Sequence, residues 1–417
     1  MPDRRAGTRA TPQAVGPPRR RMSRTQRARE QRRRRQHDRH RRVARGLGMT
    51  LIALVAIAGV FLGSKFWHSK GPVVDFTGDG GQQVLIEVHE GDFTTAVAET
   101  MLEAGVIANV KKFLSAAQGN PAIAAIQPGF YRLRTEIPAA TAVQQLTDPQ
   151  SRVGKLVIPE GRQLDDTTDM KTDRVTPGVF TLIAEASCLE LNGHRTCLDA
   201  QDLRRAAETE PPEALSVPDW ALGPVIQLGS DHRRIEGLIT AGTWNVDPTA
   251  SAPTVLSSLI SQSTAQLDKS GLPDTAAQQG MTPYEMLVVA SLVQREALPH
   301  DFAKVARVID NRLAQPQRLE FDSTVNYPLD RQEVATTDAD RAKVTPWNTY
   351  ASDGLPATPI CSPGMDALRA AEHPEPGDWL YFVTIDKDGT TLFTHNYQQH
   401  LTNIEMALDN GVLDSSR

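Results

Sequence analysis

The nineteen residues from Gly46 to Ser64 carry no charge and lie between Arg45 and Lys65. A run of about 20 apolar residues crosses a hydrocarbon core of about 30 Å as a helix. The run ends in Lys65-Phe66-Trp67 instead of a small-residue cleavage site, which argues against a signal peptide. One transmembrane helix is therefore expected over 46–64. After a linker at 65–81 rich in Gly, Asp and Pro, Val84 to Val88 alternates as a strand does. Thr94 to Ala104 then places Val97, Met101 and Leu102 at helical spacing, and Val110 to Ala117 reads as a second short helix. Pro128-Gly129 turns into a strand through Phe130 and Leu133, and Ala139 to Leu146 forms a third helix. These elements make a small α+β module over 82–152.

Leu156-Val157-Ile158 runs as a strand into the turn Pro159-Glu160-Gly161 and opens a larger, mixed α+β domain at 153–410. Within it, residues 170–230 read as a helical insertion without assigned chemistry. Thr282, Pro283 and Glu285 form a helix start, with a capping residue, a proline at the first helical position and an acid three residues after the cap. That helix is expected to reach Leu298, where Pro299 stops it. Asp301 is expected to cap the next helix, whose stripe is Phe302, Val305, Ile309 and Leu313. Trp379 to Val383 and Thr391 to Phe393 flank Lys387-Asp388-Gly389 as a hairpin, and a closing helix runs from Tyr397 to Leu408. The fold class is α+β.

Composition changes this picture mainly through the placement of charge. With 40% hydrophobic and 23% charged residues the chain is neither wholly disordered nor fibrous. Residues 1–45 hold 17 arginines against three acids, Asp3, Glu30 and Asp38, whereas the remainder holds 28 basic and 47 acidic residues. Positive charge stays on the cytoplasmic side of a span, which puts the N-terminus inside and the bulk of the chain outside a plasma or inner membrane. The tail reads as a disordered basic segment drawn to anionic lipid head groups. It has no aromatic residues to stack on bases, so a nucleic-acid partner is disfavoured.

Cys188 and Cys197 bracket a turn-like stretch, and in an oxidising compartment they close a small loop as a disulfide, leaving Cys361 as a buried thiol. Neither C-x-x-C nor H-E-x-x-H occurs, so no metal or cofactor is expected. The absence of S-x-x-K and G-x-S-x-G disfavours acyl transfer.

In the helix that starts at Pro283, Met286, Val289, Ala290, Val293 and Ala297 face a core, and Glu296 falls on the edge of that stripe. Partial burial and the negative end of the helix dipole both raise the pKa of a carboxyl placed there, as a general acid requires. The competing reading pairs Glu296 with an arginine such as Arg307.

The stretches Val289 to Glu296, Val305 to Leu313 and Leu319 to Val325 closely resemble the endolytic murein transglycosylase family. The likeness continues through Trp347-Asn348-Thr349-Tyr350, Gly354-Leu355-Pro356, Ser362-Pro363-Gly364 and Leu380 to Val383, and upstream through Ile158 to Gly161 and Ile235 to Leu238. The resemblance implies a single-pass inner-membrane enzyme with a LysM-like module ahead of its catalytic domain. Such an enzyme cuts nascent peptidoglycan strands internally and leaves a 1,6-anhydro-N-acetylmuramic acid end. The family's catalytic glutamate maps to Glu296. Gln294 stands where many members have a second glutamate. Asp322, Thr324, Asn348 and Tyr350 are candidates for positioning the sugar, with turn capping as the alternative role of Asp322 and Asn348. Glu236 is a further candidate, although Thr240-Ala241-Gly242 replaces the aromatic and Pro-Asp usual after its Gly-Leu. Glycan polymerases, including penicillin-binding proteins, are the partners implied beside the peptidoglycan strands. Two other readings compete: a non-catalytic peptidoglycan-binding scaffold, and a muramidase-type hydrolase with Asp322 as second carboxylate.

Overall fold

A computed structural model of the chain describes residues 74–329, 331–332 and 336–413. The basic tail, the span at 46–64 and the linker up to residue 73 lie outside the described residues. Among the described residues no helix is long and apolar enough to cross a membrane.

The N-terminal module comprises β1 (Gln83–Val88), α1 (Thr94–Glu103), α2 (Val110–Ala117), β2 (Gly129–Arg134), α3 (Ala139–Thr147) and the short β3 (Arg152–Val153). Its sheet has the order β1-β2-β3. β1 and β2 are antiparallel, with Gln83 opposite Arg134 and Val88 opposite Gly129. Asn109 caps α2 by accepting the Lys111 and Lys112 amides. Ile86, Val97, Met101, Phe113, Leu133 and Leu146 fill a core of the module's own. Leu102, counted with Val97 and Met101 in the apolar pattern of this helix, is 41% exposed, because one residue along a helix rotates a side chain by about 100° away from Met101.

The second domain begins with β4 (Lys155–Ile158), then β5 (Thr167–Asp169) and β6 (Val175–Thr176). The stretch expected to be purely helical holds α4 (Val179–Ala186), a hairpin of β7 (Leu189–Leu191) and β8 (His194–Thr196), α5 (Ala200–Thr209) and α6 (Asp219–Gln227). A disulfide between Cys188 and Cys197 closes the hairpin at its base. At its tip, Asn192 and Gly193 both adopt positive φ, 52° and 79°, the conformation a two-residue hairpin turn requires. That tip docks on the module. Asn192 Oδ1 accepts the Gln83 amide at 2.7 Å, Asn192 Nδ2 donates to Gln83 O at 3.1 Å, and Gln83 Oε1 accepts the Asn192 amide at 3.0 Å. Arg132 adds a bond to Glu190 O at 3.1 Å.

β9 (Gly242–Asn245) pairs antiparallel with β4, Lys155 opposite Asn245. At this second junction Gly129 is required, since a Cβ there would lie 2.7 Å from Asn245 Oδ1, the atom that also accepts Arg152 Nη2 at 2.8 Å. The helices α7 (Ala252–Ser270), α8 (Leu272–Gln278), α9 (Pro283–Glu296) and α10 (Phe302–Leu313) follow.

α9 has the expected reciprocal cap: Thr282 Oγ1 accepts the Glu285 amide at 3.2 Å and Glu285 Oε2 accepts the Thr282 amide at 2.7 Å. The helix is not one-sided as its stripe predicts. Met286 to Val293 are buried without a break, because α6, α8, α10 and α12 (Met365–Glu372) surround it. It ends at Glu296, two residues short of the expected Leu298, where Ala297 turns extended at φ −136°. Asp301 makes no capping bond and instead closes the short 3-10 turn Pro299–Asp301.

Between α10 and α12 lie α11 (Asp322–Asn326) and β10 (Arg331–Gln332). β10 joins β5 in parallel, giving a sheet of order β10-β5-β6. The hairpin β11 (Tyr381–Thr384) and β12 (Thr391–Thr394) and the helix α13 (Tyr397–Asp409) complete the chain.

Candidate active site

The last turn of α9 delivers Arg295 and Glu296 to a cavity of about 390 Å³. Asp322, Ser323 and Asn326 of α11 form a second wall, and Thr167, Thr168 and Asp169 of β5, with Thr176 and Gln332, form a third. Every lining side chain is polar. Hydroxyls and amides in this number match the donor and acceptor pattern of a sugar ring better than an apolar ligand.

Glu296 is half-buried at the mouth of this cavity. Burial raises its pKa above the ordinary carboxyl value, and the charge of Asp322 pushes in the same direction. The nearby hydroxyl and amide of Ser323 and the guanidinium of Arg295 oppose the shift without cancelling it. Arg307, the expected alternative partner, is committed elsewhere: it donates to Glu375 O at 2.8 Å and Pro374 O at 3.2 Å and sits 3.6 Å from Asp310.

Asp322 has the opposite environment. Burial would raise its pKa, but hydrogen bonds from Arg341, Thr336 and Tyr350 outweigh burial and hold it below the usual value. Oδ1 accepts Thr336 Oγ1 at 2.8 Å, Tyr350 OH at 2.8 Å and Arg341 Nε at 3.2 Å. Oδ2 accepts Arg341 Nη2 at 3.2 Å and the Thr336 amide at 3.3 Å. The site thus sets a carboxyl whose pKa is raised beside one whose pKa is lowered, the arrangement that divides acid from anion in a carboxylate pair. With donors on both oxygens, Asp322 has little capacity left to attack carbon or activate water.

Tyr350 reaches the cavity only through Asp322, and Arg341 stacks 5.1 Å above its ring. Asn348 is buried and points away from the cavity. Its Nδ2 donates to Arg341 O at 2.9 Å and to Lys343 O, and its Oδ1 accepts the Tyr350 amide at 2.9 Å, so it shapes the loop that presents Arg341 and Tyr350. Thr324 is fully buried as well, its hydroxyl donating to Phe321 O at 2.6 Å and paired with Thr349 Oγ1 at 2.9 Å. Its neighbour Ser323 faces Glu296 instead. Glu236, 1% exposed, lies outside the cavity walls, and burial pushes its carboxyl up to about 7. Gln294 turns from the cavity to accept the Gly364 amide at 2.8 Å, fixing the Ser362-Pro363-Gly364 loop against α9.

Sequence reasoning misses Ser323, Asn326, Arg341 and the threonine wall. Asn326 stands four residues after Asp322 and three after Ser323, so it shares a helix face with each, a signal available once α11 is known to be helical. Nothing in the sequence marks Thr167, Thr168 or Arg341.

The sequence profile of the YceG-like family matches residues 86–406. The endolytic murein transglycosylase of Bacillus subtilis (strain 168) is 25% identical over 344 residues, 82% of this chain and 89% of that protein. The protein of the same name from Streptococcus pneumoniae (strain D39) is 24% identical over 372 residues, 85% of this chain. The chain spans 63% of that relative's length. A crystal structure of a YceG-like protein from Listeria monocytogenes aligns with a TM-score of 0.49 and 24% identity, covering 77% of this chain and 98% of that one.

Proposed function

The chain belongs to the YceG-like family, and from that membership we propose that it is an endolytic murein transglycosylase that cleaves the bond between N-acetylmuramic acid and N-acetylglucosamine inside peptidoglycan strands. Glu296 gives its proton to the glycosidic oxygen as the bond to the anomeric carbon breaks. The C6 hydroxyl of the same muramic acid closes onto that carbon and returns its proton to Glu296. No water is consumed, and the new end is a 1,6-anhydro sugar. Ionised Asp322 sustains the proton on Glu296 and faces the positive charge that develops on the sugar ring.

The observation that carries this reading over hydrolysis is the saturation of both Asp322 oxygens. A retaining hydrolase needs its second carboxylate free to attack, and an inverting one needs it free to hold water. In the same reading residues 46–64 anchor the chain in the plasma membrane, the basic tail stays in the cytoplasm, and the module at 82–152 is LysM-like and grips glycan. The catalytic domain then meets nascent strands at the outer face of the membrane, beside glycan polymerases of the penicillin-binding class.

Replacing Glu296→Gln removes the proton donor while keeping the shape of the side chain. Cleavage of uncrosslinked strands by the full chain falls at least about a thousandfold, with strand binding retained. A variant that still cleaves at a tenth of the wild-type rate assigns the acid elsewhere.

A further inference from the structure

Glu236 follows the one-turn 3-10 helix His232–Ile235 and precedes Gly237, at φ 76°. A Cβ on Gly237 would lie 2.6 Å from the Cβ of Pro359, so this turn is wedged in place. Glu236 Oε2 accepts two hydrogen bonds: the Leu164 amide at 3.1 Å and the Tyr327 hydroxyl at 2.8 Å. Three residues beyond Leu164 the chain enters β5, one wall of the Glu296 cavity. Tyr327 is the residue immediately after α11, the wall that carries Asp322 and Ser323. One buried oxygen therefore ties two walls of the cavity together from behind.

The tie has firm backing. Tyr327 lies edge-on to Trp347 with ring centroids 5.3 Å apart, and the Trp347 indole donates to Thr358 Oγ1 at 2.8 Å. Among the described residues neither Glu236 Oε1 nor the hydroxyl of Tyr284, which is close enough to feel the Glu236 charge, has a hydrogen-bond partner. A carboxyl taken out of water is costly to hold, and an apolar side chain of similar size avoids that cost, so packing alone gives no reason for a carboxyl here.

We propose that Glu236 is a positioning residue for the transglycosylase reaction, its Oε2 fixing β5 against α11 so that Asp322 stays aligned with Glu296. This rests on the function proposed above. It replaces direct sugar contact, which the burial of Glu236 prevents.

The test uses the full chain with uncrosslinked glycan strands and the variants Glu236→Gln, Glu236→Ala, Tyr327→Phe and the Ala/Phe double. Glu236→Ala lowers kcat about ten- to a hundredfold with KM changed less than about threefold, as expected when reacting groups are misaligned and binding is kept. Glu236→Gln retains most of the activity, because its carbonyl oxygen accepts both bonds. The double variant loses no more than Glu236→Ala, since both changes break the same tie. Two results overturn the proposal: Glu236→Gln as inactive as Glu296→Gln, or unchanged kcat in every variant with only the melting temperature lowered. If the wild type cleaves nothing, the transglycosylase reading fails by itself. Hydrogen exchange at the Leu164 amide then reads the tie: faster exchange in Glu236→Ala that Glu236→Gln restores supports it, and equal protection in all variants rejects it.

Discussion

At the residue scale the site depends on two carboxyls pushed in opposite directions. In the proposed reaction Glu296 works as an acid only while protonated, so the rate is expected to fall as pH rises through its elevated pKa. Asp322 works only while ionised, so the rate falls as pH drops through its depressed pKa. Arg341→Ala removes two of the hydrogen bonds that hold Asp322 ionised. It is expected to move the acid limb of the kcat/KM profile to higher pH and to leave the alkaline limb nearly in place; an unmoved acid limb contradicts this assignment. The place of Glu296 at a helix end was legible from helix phase and the following proline, whereas its role as acid came from the family resemblance. Thr324 shows where legibility stops. A motif names a stretch of residues, but only the phase of α11 decides that Ser323 faces Glu296 while Thr324 turns into the core. Asn348 left two roles open in the sequence, and its bonds fit the turn-capping one: an amide that shapes a loop and one that binds sugar look alike in sequence.

At the element scale, segments with a cap, a turn or strict alternation were legible, and α2, α9, α10 and the β11–β12 hairpin fall within a few residues of expectation. α7 is absent from the sequence reading although Val255, Leu256, Leu259, Ile260 and Leu267 lie on one face; Ser263 interrupts the stripe. The β7–β8 hairpin has strands of three residues each, too short for alternation to register. Its disulfide and its Asn192 tip hold the module and the catalytic domain together at Gln83. Replacing Cys188 and Cys197 by Ser is expected to cost about 2–3 kcal/mol through the freed loop. Hydrogen exchange at the Gln83 amide should accelerate in that variant, and unchanged protection there argues that the tip docks without help from the disulfide.

At the scale of the whole molecule, the module and the larger domain have separate hydrophobic cores and meet through polar contacts at Gln83, Arg132 and Arg152. The active cavity draws on residues as far apart in sequence as Thr167 and Gln332. Local patterns carry no information about such an assembly, so the cavity's threonine wall and the Glu236 tie emerge only from the tertiary structure. The resemblance supplied Glu296 as the proposed acid, and the hydrogen bonds on both Asp322 oxygens support a mechanism with one acid. The most direct test is the mass of the sugar end formed when the full chain cuts uncrosslinked strands. A 1,6-anhydro-muramic end, lighter by one water than a reducing end and lost with Glu296→Gln, is the predicted result. A reducing end, with water incorporated, contradicts the account and returns Asp322 to the role of second catalytic carboxylate.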